Sequence, residues 1–164
     1  MSDVRAELEA MLQEFPAVQV EKEGDIIVAT CPGENAFKVV LLEEANETTV
    51  FFEGYHQHFP KDQARDALGL FLTGLADTCR LRVFSRGGTD YKWVVELVNF
   101  QGCWSPVAML MRPFVALEFW RRKSQRCLQN TVVTHEDIER FFPEARRPEP
   151  QQEPVPVQEP VAKR

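Results

Sequence analysis

Two histidines are the side chains in this sequence best suited to chemistry. His56 and His58 are separated by one residue, in the stretch Phe51–Pro60 that also contains Tyr55. If a β-strand continues through Phe59, both imidazoles point to the same face, because side chains alternate along a strand. Two imidazoles on one face could contribute to a metal site. We therefore take His56, His58 and Tyr55 as the candidate functional residues.

A metal site would need a third protein ligand from elsewhere in the chain. The side chains with suitable chemistry are Glu53, Asp62, Cys79 and His135. The sequence contains no HExxH, HxHxD or paired CxxC motif, and no nucleophile elbow or phosphate-binding loop. An isolated HxH pair is more often bonded to the backbone or to a neighbouring acid, so no metal, cofactor or catalytic residue is predicted. A metal-binding protein or metal-dependent enzyme that uses the pair is the alternative.

The charges are distributed unevenly along the chain. Residues 1–77 contain 5 Lys or Arg and 15 Asp or Glu, whereas residues 78–126 contain 9 and 3. The whole chain has a formal net charge of −6, which argues against a general attraction to nucleic acid or to an anionic membrane. The asymmetry indicates either a polar interaction face or charges that mix over a solvated surface.

The basic region also contains aromatic residues of the types that anchor protein interfaces when they are exposed. The candidate interaction residues are Trp93, Trp104, Trp120, Arg121 and Arg122. Stacking on the aromatic rings and neutralisation of phosphates would let the basic region 80–126 bind single-stranded nucleic acid, which is a second alternative. Protein recognition fits the acidic composition better.

The four cysteines are far apart in sequence and predict free, reduced thiols that are buried by packing. No apolar stretch approaches the length that crosses a bilayer, and the first residues do not resemble a signal peptide. These features predict a cytoplasmic protein with no membrane contact.

The order of the elements predicts an α+β fold. An amphipathic helix over residues 3–15 precedes an antiparallel meander of four short strands over residues 17–53. A central helix over residues 60–77 packs on the sheet, and a second meander follows over residues 79–111. Pro106 marks the last strand of that meander as an edge or bulged strand.

The C-terminal part has weaker signals. Residues 115–128 are interpreted as a short helix or irregular segment followed by an extended piece. Thr134, with Asp137 three residues on, predicts a capping box that opens a short helix ended by Pro143. From there the composition is rich in proline, glutamate and glutamine, which predicts one globular domain over residues 1–143 and a disordered tail over residues 144–164.

Several short segments resemble those of a group of small uncharacterised bacterial α+β proteins. The segments are the aromatic-His-x-His-Phe stretch before a helix, Tyr91-Lys-Trp93 in a strand, and Phe119-Trp120 before Leu128-Gln-Asn130. The resemblance covers roughly residues 15–133 and brings no activity, cofactor or residue role. Some small bacterial proteins of this kind are immunity proteins or accessory binders, which implies a binding role by analogy.

The sequence therefore predicts a non-enzymatic module, accessory or immunity-like, that binds another protein. The partner and the oligomeric state are left open.

Overall fold

The computed structural model describes residues 4–116 and 120–143, which form an α+β fold with two antiparallel sheets. The fold class is confirmed. The five-stranded sheet consists of β1 (Gln19–Glu23), β2 (Ile26–Thr30), β3 (Val39–Glu43), β4 (Glu47–Phe52) and β5 (Tyr55–Pro60), in that order. The four-stranded sheet consists of β6 (Cys79–Arg86), β7 (Thr89–Val98), β8 (Trp104–Met111) and β9 (Lys123–Gln129), in the order β8-β7-β6-β9. The helices are α1 (Val4–Leu12), α2 (Ala64–Gly74), α3 (Pro113–Ala116) and α4 (His135–Phe141).

The five-stranded sheet follows from short turns between strands rich in apolar residues. Each strand pairs only with its neighbours in sequence, because loops this short can join only adjacent antiparallel strands. The four predicted strands are present, and β5 adds a fifth, so that Pro60 still pairs with Glu47. The predicted central helix is therefore shorter than expected. A 3₁₀ turn at Lys61–Gln63 comes first, and α2 covers only Ala64–Gly74.

The core lies where α2 packs against the five-stranded sheet. Four residues of α2 (Ala67, Leu68, Phe71 and Leu72) have no exposed surface, and α2 contacts β3, β4 and β5. Full burial of a leucine or phenylalanine side chain stabilises a fold by roughly 1.5–3 kcal/mol. Residues from both sheets belong to the same buried cluster, so one core joins them.

Gly54, in the turn between β4 and β5, permits a close approach between the two sheets. A Cβ atom at Gly54 would lie 2.3 Å from the ring of Trp93 on β7. Since Trp93 is only 3% exposed, its ring has no room to retreat. The glycine thus fixes how deeply the β4–β5 turn sits on the four-stranded sheet.

The region after β8 differs from its prediction. The predicted helix or irregular segment over residues 115–128 overlaps β9, which pairs antiparallel with β6 along its whole length. The first five residues of β9 are exposed and mostly polar, so the strand lacks the apolar alternation that would identify it. A long-range pairing with β6, and not a local pattern, determines this strand.

Asn130 connects three separate parts of the fold directly after β9. Its side-chain oxygen accepts a hydrogen bond from the backbone N–H of Phe37 at 3.2 Å. Its amide nitrogen donates to the backbone oxygens of Phe37 at 3.0 Å and Gly74 at 2.8 Å. The side chain is 1% exposed, so these backbone groups depend on it and not on water.

The last helix begins at the predicted capping box. The backbone N–H of Asp137 donates to the Thr134 hydroxyl oxygen at 3.2 Å, and the Asp137 carboxylate accepts from the backbone N–H of Thr134 at 3.0 Å. The Thr134 hydroxyl also donates to the Asp137 carboxylate at 2.7 Å, and this hydrogen bond, followed by that from the backbone N–H of Thr134, lowers the pKa of Asp137. The capping box is confirmed. The predicted tail, residues 144–164, lies outside the described residues.

Within residues 4–116 and 120–143, no helix is both long enough and apolar enough to cross a bilayer.

Candidate functional site

The two histidines of β5 lie on the same face of the five-stranded sheet. The centroids of the His56 and His58 rings are 5.2 Å apart, and the rings are nearly perpendicular. His56 also lies beside the Phe51 ring, at 5.7 Å between centroids. The spacing of two residues therefore produces the paired geometry that the sequence predicts for a continuous strand.

His58 is already engaged by its neighbours on β4. Its Nδ1 atom lies 2.9 Å from the Thr49 hydroxyl oxygen and 3.2 Å from a carboxylate oxygen of Glu47. Thr49 is the cross-strand partner of His58 and is almost completely buried. These contacts fix the orientation of the ring at the end of the strand.

The side chains named as candidates for a third metal ligand are not grouped with His56 and His58. His135 lies on α4, where its Nε2 atom is 3.6 Å from Glu139. Cys79 lies in the core, and burial raises the pKa of its thiol to about 12. In the part of the chain that the structure describes, no three His, Cys, Asp or Glu side chains are grouped so that they could hold a metal ion.

Tyr55 is a core residue and not a neighbour of the imidazoles. Its side chain is 6% exposed, and its hydroxyl donates to the Gln57 side chain at 2.9 Å. Burial, together with the nearby Cys79, raises the pKa of the phenol. Because strand residues alternate, Tyr55 points to the opposite face of β5 from His56.

The outer face of the four-stranded sheet, which we call the basic face, centres on a buried carboxylate. Glu96 is 2% exposed and binds both Arg80, at 2.6 Å from Nε to Oε2, and Arg82. The Arg80 guanidinium lies 4.3 Å from the ring centroid of Trp104. Burial of a carboxylate is tolerated when the group is ion-paired and hydrogen-bonded. The guanidinium groups of Arg80 and Arg82 provide both interactions to Glu96.

Arg82 and one further cation, Lys92, lie over an aromatic ring of the basic face. The Arg82 guanidinium is 5.5 Å and the Lys92 ammonium 5.2 Å from the ring centroid of Phe84. The charges of Arg80, Arg82 and Lys92 exceed that of Glu96, so this face is net positive. By contrast, the edge strand β1 of the five-stranded sheet carries two acidic residues, Glu21 and Glu23.

Exposed large apolar side chains occur on β8 and in the segments that precede and follow it in sequence. Among the described residues they are Phe100, Val107, Met109, Met111, Phe114 and Trp120. Three of them belong to β8 itself, with Val107 and Met109 each 57% exposed. A shallow depression of about 470 Å³ beside them is lined by Arg82, Phe84, Lys92, Val94, Pro106, Val107, Ala108 and Met109.

The predicted interaction residues fall into different environments. Trp93 is buried in the core, which rules it out as an exposed anchor. Trp104 is half-buried beneath Arg80, whereas Trp120, Arg121 and Arg122 are exposed. The sequence reasoning missed Val107, Met109 and Met111, although the uncharged run Trp104–Met111 with its Pro106 was a usable signal for an edge strand.

The thiols divide into two classes, which corrects the expectation that all four are buried. Cys31 and Cys79 are buried, and burial raises their pKa values to about 11 and about 12. Cys103 and Cys127 are exposed, in the loop before β8 and on β9. All four cysteines are free in the structure.

We expect two thiols to react quickly with a disulfide reagent such as dithionitrobenzoate in the native protein and all four to react after unfolding. The thiolate is the reactive species, and burial suppresses both its formation and its access to the reagent. Absorbance at neutral pH measures the stoichiometry, and a Cys103→Ser, Cys127→Ser double variant is the control that should show no fast phase. Fast labelling of that variant would contradict the assignment.

Asp90 connects the start of β7 to β9. Its carboxylate accepts two hydrogen bonds from Arg126, at 2.8 and 2.6 Å, and one from the Ser85 hydroxyl at 2.6 Å. The Arg126 hydrogen bonds are the largest cause of a lowered pKa for Asp90, and Ser85 adds to the effect. A carboxyl group with a depressed folded-state pKa stabilises the fold when it is ionised.

The variant Asp90→Asn is therefore expected to lose about 1 kcal/mol of stability at pH 7, a small value because the pair is partly exposed. This difference in stability should have its full size above the ordinary pKa of 3.8. It should shrink as the pH falls through the lower folded-state pKa of Asp90. Urea unfolding of both proteins between pH 7 and pH 3 measures it. A difference that is constant over this range would contradict the ion-pair account.

Comparison with known proteins provides no relative for this arrangement. No protein-family model, curated protein or solved structure matches the chain. The resemblance to small bacterial proteins stays a prediction, and the function has to be argued from the site itself.

Proposed function

We propose that this protein is a non-enzymatic protein-binding module that contacts its partner through β8 and the adjoining basic face. The observation that carries the proposal is that three exposed apolar side chains, those of Val107, Met109 and Met111, lie on one edge strand. Apolar side chains that collect in one place and are bordered by charges are typical of interaction sites, whereas scattered ones are ordinary.

The composition of this surface supports the same function. Methionine is flexible and polarisable, so Met109 and Met111 can adapt to a partner surface. Arginine and aromatic residues, here Arg80 with Trp104, are the types enriched at protein interfaces. The positive charge of the basic face would favour an acidic partner and speed its association.

The residues with potentially reactive side chains are better explained by structural roles than by catalytic ones. His58 is hydrogen-bonded to Glu47 and Thr49, and Tyr55 and Cys79 lie in the core with raised pKa values. A general base, acid or nucleophile needs access to a substrate, which burial denies to Tyr55 and Cys79. The His58 side chain is exposed, and its Nδ1 atom is occupied by Thr49 and Glu47. The two exposed thiols, Cys103 and Cys127, favour the cytoplasm as the place of action, since a reducing compartment keeps such thiols free.

The test is site-specific photocrosslinking in the source cell. A photoreactive amino acid at position 109 should capture a defined protein, whereas the same group at Glu44, an exposed position beside the five-stranded sheet, should not. Equal capture from both positions, or none from position 109, would contradict the proposal. Crosslinks to RNA or DNA would instead favour the nucleic-acid alternative, and stoichiometric zinc in tag-free dialysed protein, lost in a His56→Ala variant, would favour the metal alternative.

A further inference from the structure

The strand β8 has a free edge. It is the terminal strand of the four-stranded sheet, and although β5 approaches it, no described strand pairs with it on the side away from β7. The backbone N–H of Arg112 donates to Tyr91 on β7 at 2.7 Å. Because backbone groups alternate in direction along a strand, the N–H groups of Met109 and Met111 point away from β7.

This edge lacks the protection that edge strands usually have. Natural edges are shielded by charged side chains, proline or bulges. The exposed side chains of the other edge strands include Glu21 and Glu23 on β1, His58 on β5, and Arg126 on β9, whereas β8 has no charged residue. Among the described residues, its safeguards are Pro106 and a bulge, both in its N-terminal half.

The bulge defines the length of edge that can accept a new strand. Val95 pairs with Ala108 and Glu96 with Pro106, so Val107 is an additional residue. Proline has no N–H group to donate, and the bulge bends the strand. Residues 107–111 thus run from the bulge to the end of the strand, and the outward backbone groups of Met109 and Met111 within them have no described strand partner.

Cations lie within reach of a strand added to this segment. Met111 pairs with Lys92, and Met109 pairs with Val94, on the outer face. Neighbouring strands are about 4.8 Å apart, so the backbone of Lys92 would lie roughly 10 Å from an added strand. A lysine and a glutamate side chain together span that distance, and Lys92 has no carboxylate partner in the described part of the chain. Arg82 lies in the same depression, one strand further away.

We propose that the partner segment is an extended peptide with alternating apolar and acidic residues, which adds to β8 as a fifth strand. Its backbone pairs with residues 107–111, and its acidic side chains on the outer face approach Lys92 and Arg82. Strand addition of this kind obtains affinity from main-chain hydrogen bonds and specificity from alternate side chains. This inference rests on the proposed function and names the chemistry of the partner.

The probe is a capped peptide of about ten residues that alternates valine and glutamate, long enough for one strand. Titration into the full-length, isotopically labelled protein at neutral pH should shift the amide resonances of residues 107–111. The amides of Met109 and Met111 should exchange quickly with solvent in the free protein and slowly with the peptide bound. The matched peptide of alternating valine and lysine should bind at least about tenfold more weakly, because it meets Lys92 and Arg82 with like charge.

Variants distinguish the contribution of the backbone groups at the β8 edge from that of the side chains. Met109→Pro removes an outward N–H while leaving the pairing with β7 intact, and it should weaken binding about tenfold. Met109→Thr removes the same methionine side chain but retains the N–H, so it should weaken binding several-fold less than Met109→Pro does. Lys92→Glu should reverse the preference between the two peptides, whereas Lys38→Glu, at an exposed position directly before β3, should not.

The results of these binding experiments can be distinguished from those of the crosslinking experiment, so strand addition can fail while the proposed function holds. Absence of shifts at residues 107–111, equal binding of both peptides, or equal effects of Met109→Pro and Met109→Thr would overturn strand addition. Capture of a protein from position 109 together with any of these results would leave the proposed function standing. Concentration-dependent dimerisation of the free protein, abolished by Met109→Pro, would assign the edge to a second copy of the chain and overturn the acidic partner.

Discussion

Replacement of Gly74 by alanine is expected to destabilise the protein by about 3 kcal/mol, because the added methyl group has no room. A Cβ atom at Gly74 would lie 2.4 and 2.7 Å from two atoms of the Phe52 ring and 3.0 Å from a methyl carbon of Val39. Neither Phe52 nor Val39 has any exposed surface, so both are held by the surrounding core. Relief of the overlap would require α2 to move away from the five-stranded sheet.

The matched control is Gly69→Ala in the same helix. The nearest atom to a Cβ at Gly69 is in the Phe142 ring at 4.0 Å, an ordinary contact. This variant should gain about 0.5–1 kcal/mol, since alanine favours the helix more than glycine does. Urea unfolding followed by circular dichroism measures both changes. If the two alanine variants change stability in the same direction, packing at Gly74 is not the determining effect.

These two glycines show where sequence reasoning ends. Both interrupt the apolar stripe of α2 and both suggest close packing, yet only at Gly74 would an added methyl group overlap another element. The turns and the β-branched runs are local signals, and they predicted the two meanders well. Distances between elements are determined by packing across the core. A local sequence pattern carries no information about that packing.

The proposed interaction surface depends on the same kind of long-range information. A meander of three strands has two edges, and Pro106 marked the last strand as an edge or bulged strand. No local pattern identified the strand that covers the other edge. The exposed, polar strand β9 pairs with β6, so β8 becomes the free edge. The burial of Trp93 has a similar origin, because Gly54 belongs to the other sheet. Aromatic residue types therefore suggested the wrong anchor at Trp93, while the methionines of β8 were missed.

Replacement of Asn130 by alanine is expected to cost about 3 kcal/mol, because each buried backbone group that loses its partner carries a desolvation penalty. The variant leaves the N–H and the carbonyl of Phe37, and the carbonyl of Gly74, without the hydrogen bonds that Asn130 provides. These groups belong to the segment before β3 and to the end of α2, so their loosening reaches both sides of the core.

Gln129→Ala is the matched control for this prediction. The Gln129 amide donates a single hydrogen bond, to the backbone oxygen of Asp77 at 2.7 Å, from a position that water can reach. Its loss should cost about 1 kcal/mol or less, since water replaces the lost partner. Urea unfolding gives both values, and hydrogen exchange at the Phe37 amide should accelerate in Asn130→Ala alone. A cost for Asn130→Ala no greater than that of Gln129→Ala would show that the three parts of the fold are held together by packing and not by this side chain.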